Sequence, residues 1–278
     1  MSGTQKAAVD TFRKLHAEGC FVLPNPWDVG SALYLRHLGF KALATTSSGF
    51  AYSHGLLDET ASMDLVLSHF RDIVQATPLP VNGDFRHGYA DAPEDVAENV
   101  TRCVATGVAG LSIEDSTDES AEPLYDIQLA VERIKAARQA IDSSGIPVVL
   151  TGRCESWLVQ DPTPLETALE RLTAYAEAGA DCLYAPGVSD PREIEAIVKA
   201  VAPKPVNVLA HRPDPNLTLA KLADLGVRRI SVGSALSRVA WGAFMRAAQS
   251  IATTGTFDAL GEGTAFVELK NVFERSQA

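Results

Sequence analysis

The chain has 278 residues, 46% of them hydrophobic and 21% charged, which supplies material for a sizeable core. Its formal charge of −11 excludes a surface built for nucleic-acid phosphates or anionic lipid, both of which need clustered Lys and Arg. Four scattered cysteines without CxxC spacing, and no apolar run near the ~20 residues that span a bilayer, point to a soluble, cytoplasmic protein with free thiols and no membrane or nucleic-acid partner.

Apolar residues at Ala8, Val9, Phe12 and Leu15 predict an opening helix over 4–18, stopped by Gly19. A first strand over 20–24 leads through Asn25-Pro26-Trp27-Asp28 to a helix carrying Leu33, Leu35 and Leu38. The second strand, 41–45, runs into a loop of small residues, Thr46-Ser47-Ser48-Gly49-Phe50. A helix over 60–75 presents Met63, Leu67, Phe70 and Val74 on one face. The third strand carries Asp84, the next helix opens at Pro93 with Glu94 and Asp95, and the fourth strand spans 110–114. Ile127, Val131, Ile134 and Ile141 then mark a helix. Strand five, 147–151, ends at Gly152-Arg153-Cys154-Glu155, and strands six, seven and eight follow over 181–184, 205–208 and 228–232. Helices over 164–178, 191–201 and 235–252 complete the alternation, the last one apolar over a broad arc.

Eight strands alternating with helices predict one (β/α)8 TIM barrel over 1–278, with an N-terminal helix and a C-terminal helical extension. A doubly wound open sheet competes, but it seldom needs eight consecutive units. In a barrel, function sits at the C-terminal ends of the strands, where Ser48, Asp84, Glu114, Arg153 and Asn207 fall. The βαβ unit from Asp84 to Glu114 sets its strands parallel and brings both carboxylates to one edge, an arrangement suited to a hard divalent cation. Each residue also has a plainer reading. Asp84 could cap its loop, Glu114 could pair with Arg153, Asp58 could lie at the surface, and Ser48-Gly49 could be a flexible turn. Asn207 could merely satisfy backbone groups. Cys154 should point away from the axis by strand alternation, and His54 and His87 read as solvated loop residues or general acids.

The blocks 25–32, Ser48-Gly49, Asp84 with Gly88-Tyr89, the Gly110 to Asp115 block, Arg153 and Gly233-Ser234-Ala235-Leu236 together resemble the isocitrate lyase and phosphoenolpyruvate mutase superfamily. The likeness is to its short members described as carboxyvinyl-carboxyphosphonate phosphorylmutase-like. The resemblance implies a barrel whose eighth helix is exchanged between subunits of a homodimer or homotetramer. It implies Mg²⁺ bound through Asp58, Asp84 and Glu114, and a small 2-oxo or dicarboxylic acid held by the backbone of Ser48, Gly49 and Phe50; Asp84, Arg153 and Asn207, at the strand ends, are the further candidate contacts to that acid. Arg153 and Glu114 would be catalytic, Arg153 stabilising developing negative charge.

Two departures qualify that picture. Arg86 stands where members of the superfamily often carry a second acid, and the loop 116–125 lacks the Lys-Lys-Cys-Gly-His of the lyases and the Lys and Asn of the mutase. The expected activity is Mg²⁺-dependent cleavage of a C–C bond through an enolate, by lysis or decarboxylation. The alternatives are a 2-oxo acid binding protein with little or no turnover and a P–C bond enzyme of the mutase or phosphonopyruvate hydrolase type. A phosphosugar enzyme using Gly233-Ser234 ranks behind these, since no glycine turn follows strand seven.

Overall fold

The computed structural model describes residues 3–117 and 121–277. Eight parallel strands, β1 (Phe21–Leu23), β2 (Leu43–Ala44), β3 (Val81–Gly83), β4 (Gly110–Glu114), β5 (Val149–Arg153), β6 (Cys182–Tyr184), β7 (Val206–Leu209) and β8 (Arg229–Ser231), form a sheet in the order β1-β8-β7-β6-β5-β4-β3-β2. Between and around them lie α1 (Gly3–Ala17), α2 (Val29–His37), α3 (Ser47–Ser53), α4 (Met63–Ala76), α5 (Pro93–Val104), α6 (Ile127–Ser143), α7 (Pro164–Glu177), α8 (Pro191–Val201), α9 (Leu219–Asp224), α10 (Ala235–Thr254) and α11 (Phe266–Gln277). This is a (β/α)8 TIM barrel. Its seam lies between β1 and β2, where the Ala44 amide donates to Pro24 O at 3.0 Å. Asn25 staples that seam: its Nδ2 donates to Thr45 O, and its Oδ1 accepts from the amides of Val232 and Gly233 at 2.9 and 3.0 Å.

Local chemistry starts the helices where sequence signals place them. Asp28 and Ser31 form a capping box at α2, Asp126 and Asp190 cap α6 and α8, and prolines open α5, α7 and α8. The N-terminal end of the barrel is plugged by α1. Phe12 lies against Gly110, where a Cβ would come within 2.6 Å of its ring, so only a residue without a side chain fits.

Two features depart from the sequence reading. The stretch 46–50 is not a loop: Thr46 caps α3, its hydroxyl accepting from the Gly49 amide at 3.3 Å. Seven residues are too few for apolar periodicity to reveal. The short helix α9 between β7 and β8 was also not anticipated. Helix α10 carries the broad apolar arc that the sequence describes and buries only Ser237, leaving Val239, Phe244 and Met245 at 70%, 61% and 60% exposure, so the arc is not packed on its own barrel. Among the described residues no helix is long and apolar enough to cross a membrane.

Candidate active site

Parallel register carries one row of inward residues around the wall. Glu114 pairs with Arg153, Arg153 with Tyr184, Tyr184 with Asn207, and Asn207 with Arg229. Asp84 follows β3 directly and is pinned twice: its amide donates to Thr45 Oγ1, and its Oδ2 accepts from the Ser47 amide, both at 2.8 Å. These side chains surround a cavity of about 50 Å³ lined by Asp84, Arg153, Tyr184, Asn207, Arg229 and Ser231 among others. That is room for roughly three to five waters, the bulk of a small organic acid.

Arg153 is the hub of the charge arrangement. Its Nη1 lies 2.8 Å from Glu114 Oε1 and 3.4 Å from Asp84 Oδ1, and its Nε pairs with Glu155 Oε1. Three carboxylates therefore converge on one guanidinium. Burial pushes the Glu114 carboxyl well above the usual carboxylate range and Glu155 upward too, with Arg153 opposing both shifts. For Arg153 burial disfavours the charge, yet Glu114 and Glu155 hold it protonated beyond its ordinary value.

Asp115 stands behind this group and orients it. Its Oδ1 accepts from the Glu155 amide at 2.8 Å, while Oδ2 takes the Tyr175 hydroxyl at 2.6 Å and Arg171 at 3.2 Å. The loop after β3 is braced by Arg133, which donates to the carbonyls of His87, Ala90 and Asp91. In that loop Arg86 and Tyr89 take left-handed φ values of 48° and 57°, a conformation retained where surroundings over-determine it.

The expected site residues fall into two groups. Asp84, Arg153 and Asn207 line the cavity; Glu114 touches it through Arg153. Ser48, Gly49 and Phe50 sit in the first turn of α3, where the Gly49 and Phe50 amides bond to Thr46 and the Ser48 hydroxyl donates to Asp58 Oδ2 at 2.5 Å. Neither His54, His87 nor Arg86 lines the cavity, and Cys154 is fully buried with its thiol pushed up by burial, as packing requires. Residues 118–120 of the loop after β4 lie outside the described residues. Glu155, Tyr184, Ser231 and Arg229 escaped the sequence reading. For Glu155 the signal was present: two positions beyond Arg153, it shares the inward face.

The donor set suits a hard cation. Around Arg153 and Asp84 the carboxylates exceed the guanidinium charge, and Asp58 Oδ1 is buried without a hydrogen-bond partner. Among the described residues no three His, Cys, Asp or Glu side chains gather tightly enough to hold a metal alone. A cation here would take one carboxylate directly and complete its shell with waters and a ligand, which is how Mg²⁺ is commonly held.

The phosphoenolpyruvate phosphomutase family model matches residues 12–252. A crystal structure of a Burkholderia cenocepacia J2315 protein provisionally described as a lyase/mutase superposes with a TM-score of 0.93 at 43% identity, covering 98% of each chain. An uncharacterized Mycobacterium tuberculosis protein is 36% identical over 81% of this chain and 82% of its own. The 2-methylisocitrate lyase of Halalkalibacterium halodurans is 28% identical over 92% of this chain and 86% of its own.

Proposed function

The chain belongs to the phosphoenolpyruvate phosphomutase family, and from that premise we propose that it is a Mg²⁺-dependent enzyme that binds a small 2-oxo or 2-hydroxy carboxylic acid and breaks a C–C bond through an enolate. The observation that carries this reading is the convergence of Asp84, Glu114 and Glu155 on Arg153 at the rim of a small polar cavity.

Asp84 would hold the cation directly, with Asp58 and Glu114 reaching it through waters. When bound, Mg²⁺ supplies an electrophile that stabilises negative charge on the oxygens of a 2-oxo acid. Arg153, kept protonated by its carboxylates, offers a planar fork to the negative charge that develops as the bond breaks. Asn207, fixed by its neighbours, orients the acid from the opposite wall. The weak 3.3 Å bond from the Gly49 amide to Thr46 is one that an incoming carboxylate can compete for. Lysis or decarboxylation is favoured over P–C chemistry because the loop after β4 lacks the mutase's Lys and Asn.

The exposed apolar face of α10 supports a homodimer or homotetramer in which this helix packs on a second copy. The test of activity is incubation with Mg²⁺ and oxaloacetate, dimethylmalate and methylisocitrate, with pyruvate assayed against a protein-free control. Product from one acid, abolished by chelation, is expected. Binding without product from any of them would leave an oxo-acid binding protein instead.

A further inference from the structure

Cleavage of an oxo acid leaves an electron pair on an enolate, and turnover needs a proton delivered to its carbon. The loop after β4 offers neither thiol nor lysine. Among the described residues the cavity wall offers no His, Cys or Lys either: its ionisable residues are Asp84, the guanidiniums of Arg153 and Arg229, and the phenol of Tyr184. Asp84 accepts from Ser47 and Arg153, and a guanidinium does not give up its proton in a protein. Tyr184 remains.

The hydrogen bonds of the wall decide what its hydroxyl can do. Arg229 is 2% exposed and carries donors only. Its Nε donates to Asn207 Oδ1 at 3.0 Å, its Nη2 to Thr151 Oγ1 at 3.0 Å, and its Nη1 lies 3.3 Å from His16 Nε2. With its oxygen taken, Asn207 must turn its NH₂ toward Ser231 Oγ, 2.9 Å away. Ser231 lines the same cavity wall as Tyr184, and its hydroxyl eases ionisation of the phenol. These two hydroxyls own two hydrogens, and a bond between them uses only one. Asn207 cannot accept the other, because the group it presents is a donor. One hydroxyl hydrogen is therefore left for the cavity, and a flipped Asn207 would absorb it.

We propose that Tyr184 is the proton donor of this site and that Arg229, acting through Asn207 and Ser231, is the positioning residue that keeps its hydrogen turned to the cavity. This rests on the oxo-acid reading above. In the step, the electron pair on the enolate carbon forms the new C–H bond, and the Tyr184 O–H bond breaks with its electrons left on oxygen. The phenolate stands beside Arg153, whose guanidinium carbon is 5.2 Å from the ring centre, until water returns a proton. Burial pushes the Tyr184 hydroxyl up to about 12, against the pull of Arg153, so the phenol holds its proton until the enolate forms.

The test follows exchange of the pyruvate methyl protons in heavy water with Mg²⁺, by proton NMR, alongside calorimetric affinity for pyruvate. Tyr184→Phe should slow exchange at least about 100-fold while pyruvate affinity stays within about threefold. Arg229→Met should slow it at least about tenfold, and Arg229→Lys, which restores a donor to Asn207, should recover most of the rate. Tyr184→Phe exchanging within about threefold of wild type, in protein of unchanged Tm, overturns the inference. A wild-type protein that binds pyruvate without exchanging it overturns the inference and leaves the binding reading standing. One that binds no pyruvate brings down both.

Discussion

His16 is the point at which acid should loosen the barrel's plug. Its Nδ1 lies 2.7 Å from Phe12 O and its Nε2 faces Arg229, so the ring must be neutral, with its hydrogen on Nδ1 and a lone pair toward the guanidinium. Burial, with Arg229 adding to it, lowers its pKa from 6.5 to about 3. The unfolded chain takes up a proton that the fold refuses, so this contribution is fully present above 6.5 and is lost as pH falls toward about 3. Between about pH 8 and about pH 5 the loss comes to about 2 kcal/mol, at ~1.4 kcal/mol for each pH unit below the unfolded value. His69, lowered to about 4 chiefly by burial, adds a similar slope, and Glu114 and Glu155 oppose it. His16→Gln isolates the one term, since an amide keeps an acceptor for Arg229 and never charges. Urea unfolding at the two pH values should show the wild type's stability margin over the variant shrinking by about 2 kcal/mol on acidification. A margin constant to within about 0.5 kcal/mol would refute the reasoning.

Asp84→Asn keeps the shape but removes the charge at the proposed cation ligand, so calorimetric affinity for pyruvate with Mg²⁺ should fall at least about tenfold; unchanged affinity would exclude Asp84 from the ligand set. Glu114 tests the opposite electrostatic sign. Its folded pKa is raised, mainly by burial, so its ionisation costs stability progressively as pH rises above the ordinary carboxylate range. Glu114→Gln should therefore lose less stability than wild type between acid and alkaline pH, read as Tm across a pH series. Phe244→Glu on the exposed face of α10 should lower the mass measured by analytical ultracentrifugation to that of one chain, without altering the wild-type circular dichroism.

Strand ends and the right-handed βαβ crossover made Asp84, Glu114 and Arg153 legible as neighbours before any coordinates, because each lies at the carboxyl end of a parallel strand. Their detailed relation was not. That Arg153 serves three carboxylates depends on Glu155, which the same alternation that turned Cys154 outward would have turned inward. Helix α3 was hidden by its brevity and by serines and a glycine that look like a loop. Gly49 is there for a close approach: a Cβ would lie 2.7 Å from Thr46 Cγ2 and 3.2 Å from Trp27 Cβ. Arg229 was hidden by its neighbour, since Arg228-Arg229 reads as a charged strand end. Only the pairing of Arg229 with Asn207 and Phe21 turns it into the barrel.

That inward turn explains why the interior departs from the aliphatic layers that usually fill such barrels. Arg229, Asn207, Thr151, Ser112 and Asn82 are all buried in the wall, and a buried polar group is tolerated when it finds a partner. Most do, through the chain from His16 to Ser231. Asn82 Oδ1 does not: it is buried, lines the same cavity and has no hydrogen-bond partner. Leaving it so costs about 1–3 kcal/mol, and a guest that donates a hydrogen bond removes that cost. Aliphatic side chains at these positions would give a better-packed barrel. The polar wall makes sense as one shaped around a polar ligand.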